Sequence, residues 1–332
     1  MTVLAPHTVA AVSSGPVRRF PVRALQLLAG AAVVVAVALR LGTGAVLDGV
    51  RAVSPGALVV ALSIGAVTTA ASAARWCVVA RGLGLRIGFG PAVGDCYRAQ
   101  FLNSVLPAGV LGDVHRAVDH GRRAGDLGRG VRAVVLERVA GQVVVVVAGT
   151  VVLLAIPSPV RGLVAGFGPV ALVAAGVVVG LVGIAVLPRV RRGLAGLVAG
   201  TREAVLTRRS APAVLGLSVV AMAGHLGLLA VAAIAVGVRV GPVELVPLLV
   251  LPLLAMGLPL NVGGWGPREA TTAVSFGVAG LGAQTGLATA VAFGVLALVS
   301  TLPGLGVLLL RGGPAIRGRS GPGREVSSDG RR

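Results

Sequence analysis

Residues 131–156 read VRAVVLERVAGQVVVVVAGTVVLLAI, and after Arg138 the stretch holds no charged side chain. About 20 apolar residues cross the ~30 Å hydrocarbon core of a bilayer as a helix. A run of this length and character is therefore expected to span a membrane. Comparable runs occupy Ala24–Leu39, Gly56–Ala74, Phe167–Leu187, Ala213–Val236, Val243–Leu260 and Gly286–Leu310. Gly and Pro are frequent within them, which transmembrane helices tolerate. The first run resembles a signal peptide in isolation, but with apolar runs following it a signal anchor is the better reading.

Composition agrees. Of 332 residues, 55% are apolar and 12% charged, whereas an average soluble domain carries about 25% charge. Too little polar surface remains to coat a water-soluble globule. The net charge is +19, and all 30 basic residues are arginine. Nucleic-acid surfaces interleave such charge with stacking aromatics, and aromatics here are 3%. A nucleic-acid partner is not expected. Cys77 and Cys96 are too few for a disulfide framework or a Cys-x-x-Cys metal pair.

The arginines lie mostly in alternate gaps between the apolar runs. Three precede Ala24 (18, 19, 23), four follow the second run (75, 81, 86, 98), and five follow those (116, 122, 123, 129, 132). Six occupy 188–212 and six the tail after Leu310, whereas the intervening gaps hold Arg40, Arg51, Arg161 and Arg239. By the positive-inside rule both termini are cytoplasmic and the number of full crossings is even. Gly90–Val110 has Arg-rich gaps on both sides, so it reads as a re-entrant hairpin from the cytoplasm. Val243–Ala283 reads as a second hairpin, from the opposite face. The expected fold is an all-α polytopic membrane protein with about six full transmembrane helices and two re-entrant hairpins. Eight spans would preserve the same parity. Residues 1–23 form a basic cytoplasmic segment, 24–310 the membrane domain and 311–332 a disordered cytoplasmic tail.

The two breaks resemble each other. PAGVLGDVHR (107–116) and PLNVGGWGPR (259–268) both fit P-x4-G-x3-R, through Pro107, Gly112, Arg116 and Pro259, Gly264, Arg268. Hairpins entering from opposite faces would make this an inverted repeat, and interrupted helices in corresponding positions mark a midplane binding site. A helix start exposes unpaired N–H groups and the positive end of the dipole, which together favour phosphate or carboxylate. Arg116 and Arg268 would add formal charge, and Glu137 and Glu269 would tune it. Asp113 suits a helix N-cap. Arg138 beside Glu137 is either an interfacial snorkelling pair or a functional pair facing a cavity. Asn103, Gln100, Asn261 and Gln142 could be packing polar groups, but Asn103 and Asn261, with Pro107 and Pro259, are counted among the candidate substrate-binding residues. His225, alone in an apolar run, reads more readily as a core histidine than as a proton or ligand site. Asp113, His115, Asp119 and His120 do not meet zinc spacing and read as a solvated face. Trp76 and Trp265 suit interface or hairpin-tip anchors.

These motifs resemble the transmembrane, flippase-like region of the lysylphosphatidylglycerol synthase family. The resemblance rests on Arg75-Trp76, FLNSVLPAGVLGDVHR (101–116), Glu137-Arg138, PLNVGGWGPRE (259–269) and Pro303-Gly304. It brings Gly266 into the candidate set, through the Gly264-x-Gly266-x-Arg268-Glu269 block. The family's membrane half moves aminoacylated phosphatidylglycerol between leaflets, and it also occurs alone. After Leu310 there are 22 residues, so lysyl transfer is not implied. Leu111 stands where the family usually has the first Gly of GGD.

The expected function is translocation of an anionic or phospho-headgroup lipid across the cytoplasmic membrane, without catalysis and without a cofactor. Membrane lipids are the expected partners, with a separate synthetase or glycosyltransferase and a homo-oligomer as further expectations. The alternative is a membrane scaffold for a lipid- or polyisoprenoid-glycan-modifying enzyme.

Overall fold

The computed structural model describes residues 43–106, 109–162, 205, 207–257 and 266–311. The expected crossings at Ala24–Leu39 and Phe167–Leu187 lie outside the described residues, as do the 1–23 segment, residues 312–332, Pro107, Pro259, Asn261, Gly264 and Trp265.

The described residues are helical and contain no strand. The helices are α1 (Thr43–Arg51), α2 (Pro55–Gly82), α3 (Phe89–Val105), α4 (Leu111–Arg123), α5 (Leu127–Ala155), α6 (Ser210–Ala235), α7 (Pro242–Ala255), α8 (Pro267–Val278), α9 (Ala283–Thr301) and α10 (Pro303–Arg311). Four apolar segments are long enough to cross a membrane: Pro55–Gly82, Leu127–Ala155, Ser210–Ala235 and Ala283–Leu310. They coincide with four of the expected crossings.

Local chemistry sets the helix starts. Ser54 accepts a hydrogen bond from Ala57 N at 3.2 Å, with Pro55 in the first turn, where its missing donor costs nothing. Asp126 caps α5 through Arg129 N at 2.9 Å. α7 contains Pro247 and Pro252. Pro252 cannot donate to the carbonyl of Leu248, and Ser275 of α8 donates its hydroxyl to that oxygen instead, at 3.3 Å. The proline therefore ties α7 to α8.

Packing gives the helix directions. Arg75, late in α2, meets Glu137, early in α5, and Ser218, early in α6. Val79, Leu136 and Val214 share that end, whereas Ala61, Leu153 and Leu228 share the core at the other, so α2 runs against α5 and α6. Gly49 of α1, shortly before α2 in the chain, packs on Ala288 and Val291, and Gly65 of α2 packs on Ser300, so the chain through α1 and α2 runs with α9. Two sets of the same order result: long helix, short helix, break, short helix, long helix. The first is α2–α5, and the second, α6–α9, runs in the opposite direction. α3 and α4 meet at the first break, and α7 and α8 flank the second.

The first hairpin needs a correction. The expected limits Gly90–Val110 cover α3 and the turn, whereas the returning arm is α4, which extends to Arg123. α4 was missed because LGDVHRAVDHGRR lacks an apolar run. It is buried through Gly112, Arg116, Ala117, His120 and Gly121 against protein, so it needs no lipid-compatible composition. Lipid-compatible surface lies elsewhere: Val131, Val135, Val139, Val143, Val147 and Val151 recur every four residues on α5 and are 38–58% exposed.

Close approach of α3 and α4 depends on Gly112, where a Cβ would collide with the carbonyl oxygen of Ala99. Gly306 on α10 has nothing within 4 Å of its Cβ direction. Gly112→Ala should destabilise the protein by about 1–3 kcal/mol, the usual cost of overpacking. Gly306→Ala should be neutral or slightly stabilising. Thermal melting of the two variants in detergent distinguishes them.

Candidate functional site

Glu137 is 1% exposed and sits between two arginines. Arg75 Nε donates to its Oε1 at 3.0 Å, and Arg116 Nη2 donates to its Oε2 at 2.9 Å. Arg75 also donates to Ser218 Oγ at 3.0 Å, and Arg116 to Cys96 Sγ at 3.0 Å. Arg116 lies over the Trp76 ring, 4.7 Å from its centroid, where the ring face attracts the cation. Trp76 is fully buried, which corrects its expected role as an interface anchor.

Asp113 is not the N-cap of α4. That position is Val110, with no side-chain cap. Asn103 of α3 takes over: its Oδ1 accepts from Gly112 N at 2.7 Å, and its Nδ2 donates to Asp113 Oδ2 at 2.9 Å. The asparagine thus caps one arm of the hairpin from the other. Asp113 also pairs with Arg116 at 3.1 Å and with Arg138 at 2.7 Å. Arg138 is not primarily a partner of Glu137, whose nearest approach is 4.0 Å. Three guanidinium groups therefore share two carboxylates, leaving one positive charge.

At the second break, Gly266 has φ +118°, a backbone region that glycine enters without a Cβ penalty. Its N–H donates to Glu269 Oε2 at 2.7 Å. Arg268 donates through Nε to Glu269 Oε1 at 2.8 Å, and its Nη2 pairs with the same oxygen. The Arg268 guanidinium lies 5.0 Å from the Phe293 ring centroid.

Residues flanking both breaks border one cavity of about 320 Å³. Asn103 and Gly109 reach it from the first break, Met256 and Arg268 from the second, and Arg138 from α5. Half of the Arg138 side chain is accessible. A second cavity of about 220 Å³ adjoins it and is lined by Arg75, Gln142, Ser218 and Gly257. Arg138, His225 and Met256 line both.

The candidate residues thus divide. Asn103, Arg138 and Arg268 border the larger cavity. Gly112, Asp113, Arg116, Glu137, Gly266 and Glu269 do not line it and act behind it, as packing, capping or charge partners. Arg75, Thr68, Ser300 and Thr301 were not singled out as site residues by sequence. Arg75 carried a signal, being charged at the edge of an apolar run. The hydroxyl residues carried none, since Ser and Thr are ordinary in membrane helices.

Towards the end of α4, His120 is 7% exposed and packs edge-on against Trp76, with centroids 5.3 Å apart. The face expected to be solvated is therefore partly internal. Burial first, and then the charge of Arg123, hold the His120 imidazole below its ordinary 6.5. Burial and Arg98 act likewise on His115. At Asp119, burial raises the carboxyl, but the hydrogen bond from Arg98 and the charges of Arg123 and Arg98 outweigh it and lower the carboxyl.

Glu137→Gln leaves Arg75 and Arg116 buried without their shared counter-charge, so a loss of about 3–5 kcal/mol is expected. Asp126→Asn, at an exposed cap where Asn is equally preferred, should cost far less. Melting in detergent compares the two. A histidine lowered in the folded state stays neutral there while the unfolded chain takes up protons. Stability should therefore be full above pH 6.5 and decline as pH falls below that value. His120→Gln should flatten part of this decline, and His115→Gln a further part; melting temperatures from pH 7.5 to 5.5 provide the check.

Comparison with known families gives a match over residues 23–304 to the lysylphosphatidylglycerol synthase TM region. Neither curated proteins nor solved structures gave a match. With most of its length covered by that match, the chain belongs to the lysylphosphatidylglycerol synthase transmembrane-region family.

Proposed function

We propose that this chain is a lipid translocase of the cytoplasmic membrane, with both termini in the cytoplasm and the two broken helix pairs re-entrant from opposite faces. Its cargo is a lipid with an anionic, phosphate-bearing headgroup. The observation that carries this reading is the cavity shared by the two breaks, with Arg138 and Arg268 on its wall. Its volume is at the lower end of the range for ligand pockets, about 300–1,000 Å³, which suits a headgroup whose acyl chains remain in lipid. Guanidinium groups match phosphate oxygens in bidentate geometry. The surplus positive charge among Arg75, Arg116, Arg138, Asp113 and Glu137 would attract an anion. Two sets of helices in opposite directions suit a device that rocks about a central site.

Within this reading the roles are distinct. Arg138 and Arg268 hold the phosphate. Asp113 and Glu269 keep those arginines oriented, while Glu137 locks Arg116 and Arg75 into the frame. No ATP-binding loop with lysine can exist in a chain without lysine, so movement is passive or coupled to a gradient.

The test is the purified chain in liposomes containing a trace of fluorescent-headgroup phosphatidylglycerol, with dithionite quenching the exposed leaflet. Quenching is expected to exceed the half-value of protein-free vesicles. Arg138→Gln and Arg268→Gln should each slow translocation at least tenfold. Arg129→Gln, an exposed residue paired with Asp126, should leave it unchanged. Wild-type traces identical to protein-free vesicles would overturn the proposal. Variants that leave brisk translocation unaffected would remove the arginines from the site. A scaffold would survive both substitutions with its partner still bound.

A further inference from the structure

His225 lies near the middle of α6 and is the one titratable side chain in that helix. Its Nδ1 is 2.7 Å from the backbone oxygen of Ala221. A carbonyl can only accept, so Nδ1 carries a hydrogen, and in the neutral ring Nε2 is then the nitrogen with the lone pair. The imidazole borders both cavities, on the wall that they share with Arg138 and Met256. A polar ring with a basic nitrogen, placed between two cavities in the middle of a transmembrane helix, is an unusual choice for packing alone.

The charged groups around it come from several elements. Arg138 of α5 borders both cavities with His225, Arg75 of α2 borders the smaller one, and Arg268 of α8 the larger one. Each is already engaged by a carboxylate: Arg138 by Asp113, Arg75 by Glu137, Arg268 by Glu269. From α7 and α9 the cavity walls receive uncharged residues, including Leu253, Met256, Phe293 and Ser300. His225 therefore places a basic ring nitrogen on a wall whose neighbouring arginines already have carboxylate partners. An anion placed between Arg138 and Arg268 favours the charged form of a nearby imidazole.

We propose that His225 is the proton-binding site of the cavity, and that a phosphate headgroup enters together with one proton. This rests on the lipid-translocase reading and adds its coupling ion. Nε2 takes a proton from water, forming the N–H bond as the water-side O–H bond breaks. The imidazolium N–H then donates to a phosphoryl oxygen. On release the proton returns to water, and Nε2 regains its lone pair. A phosphodiester carries one negative charge, so the loaded cavity gains no net charge. Crossing the membrane in that state moves no net cargo charge through the membrane potential.

The experiment uses the full chain, purified in detergent at pH 7 with a dilute pH indicator and almost no buffer. Dioleoylphosphatidylglycerol should draw up to one proton per chain from solution, whereas monooleoylglycerol and inorganic phosphate should draw none. His225→Gln and His225→Asn, the latter able to keep a donor near Ala221, should abolish the uptake while eluting as the wild type does. In liposomes, wild-type translocation of phosphatidylglycerol should change severalfold between pH 6 and 8, and both variants should lose that dependence. Wild-type translocation without proton uptake, or uptake that persists in both variants, overturns the proton site and leaves the lipid reading standing. Equal uptake with inorganic phosphate or monooleoylglycerol overturns the headgroup coupling. A wild type that moves no lipid removes the underlying reading instead.

Discussion

A single carboxylate, that of Glu137, holds together the parts of this protein that matter most for its site. Arg75 reaches it from α2 and Arg116 from α4, while Arg75 continues to Ser218 on α6. Burying three ionised groups costs several kcal/mol per ion, which only close pairing and further hydrogen bonds recover. Ser218, Cys96 and the face of Trp76 supply those further contacts. An apolar trio of the same volume could have packed as well, but it would not have fixed the direction in which the guanidinium groups point. The network therefore contributes orientation more than net stability.

That orientation has consequences at the first break. With Arg116 turned towards Glu137, Asp113 is free to take Arg138 as well, and Arg138 opens on the cavity. The two halves of the chain thus present arginines to one space by different routes. In the second half Arg268 follows the break directly and is braced by Glu269 and Phe293. In the first half the arginine that matches it in the sequence motif is internal, and a residue from the following long helix takes its place. The two sets of helices correspond in order and direction, not in the role of each side chain.

Much of this was legible in the sequence because a bilayer imposes a coarse code. Apolar length locates the long helices, and the four described crossings fall where the runs do. The alternation of arginine-rich gaps is compatible with α2 and α9 running against α5 and α6. The code fails where a segment is shielded by protein. α4 carries His115, Arg116, Asp119, His120, Arg122 and Arg123 in 13 residues, so it reads as a polar gap, although one face is buried. Pairing was likewise beyond the sequence. Glu137 beside Arg138 invited a local pair, whereas the closer partners are 62 and 21 residues away. Adjacent helix residues point about 100° apart, which disfavours their meeting. The hydroxyl lining of the cavity, from Thr68 to Ser300 and Thr301, left no pattern at all.

The central claim is that both breaks open into one space that accepts an anionic headgroup. Single cysteines at Ser104, on the first hairpin, and at Met256, before the second break, both border that space, and Cys77 and Cys96 are buried elsewhere. Labelling each with a small methanethiosulfonate reagent, with and without added phosphatidylglycerol, tests the claim directly. Protection of both positions at the same lipid concentration, abolished by Arg138→Gln, is the predicted result. Protection of one position with the other labelling freely would mean two separate sites and would contradict the account.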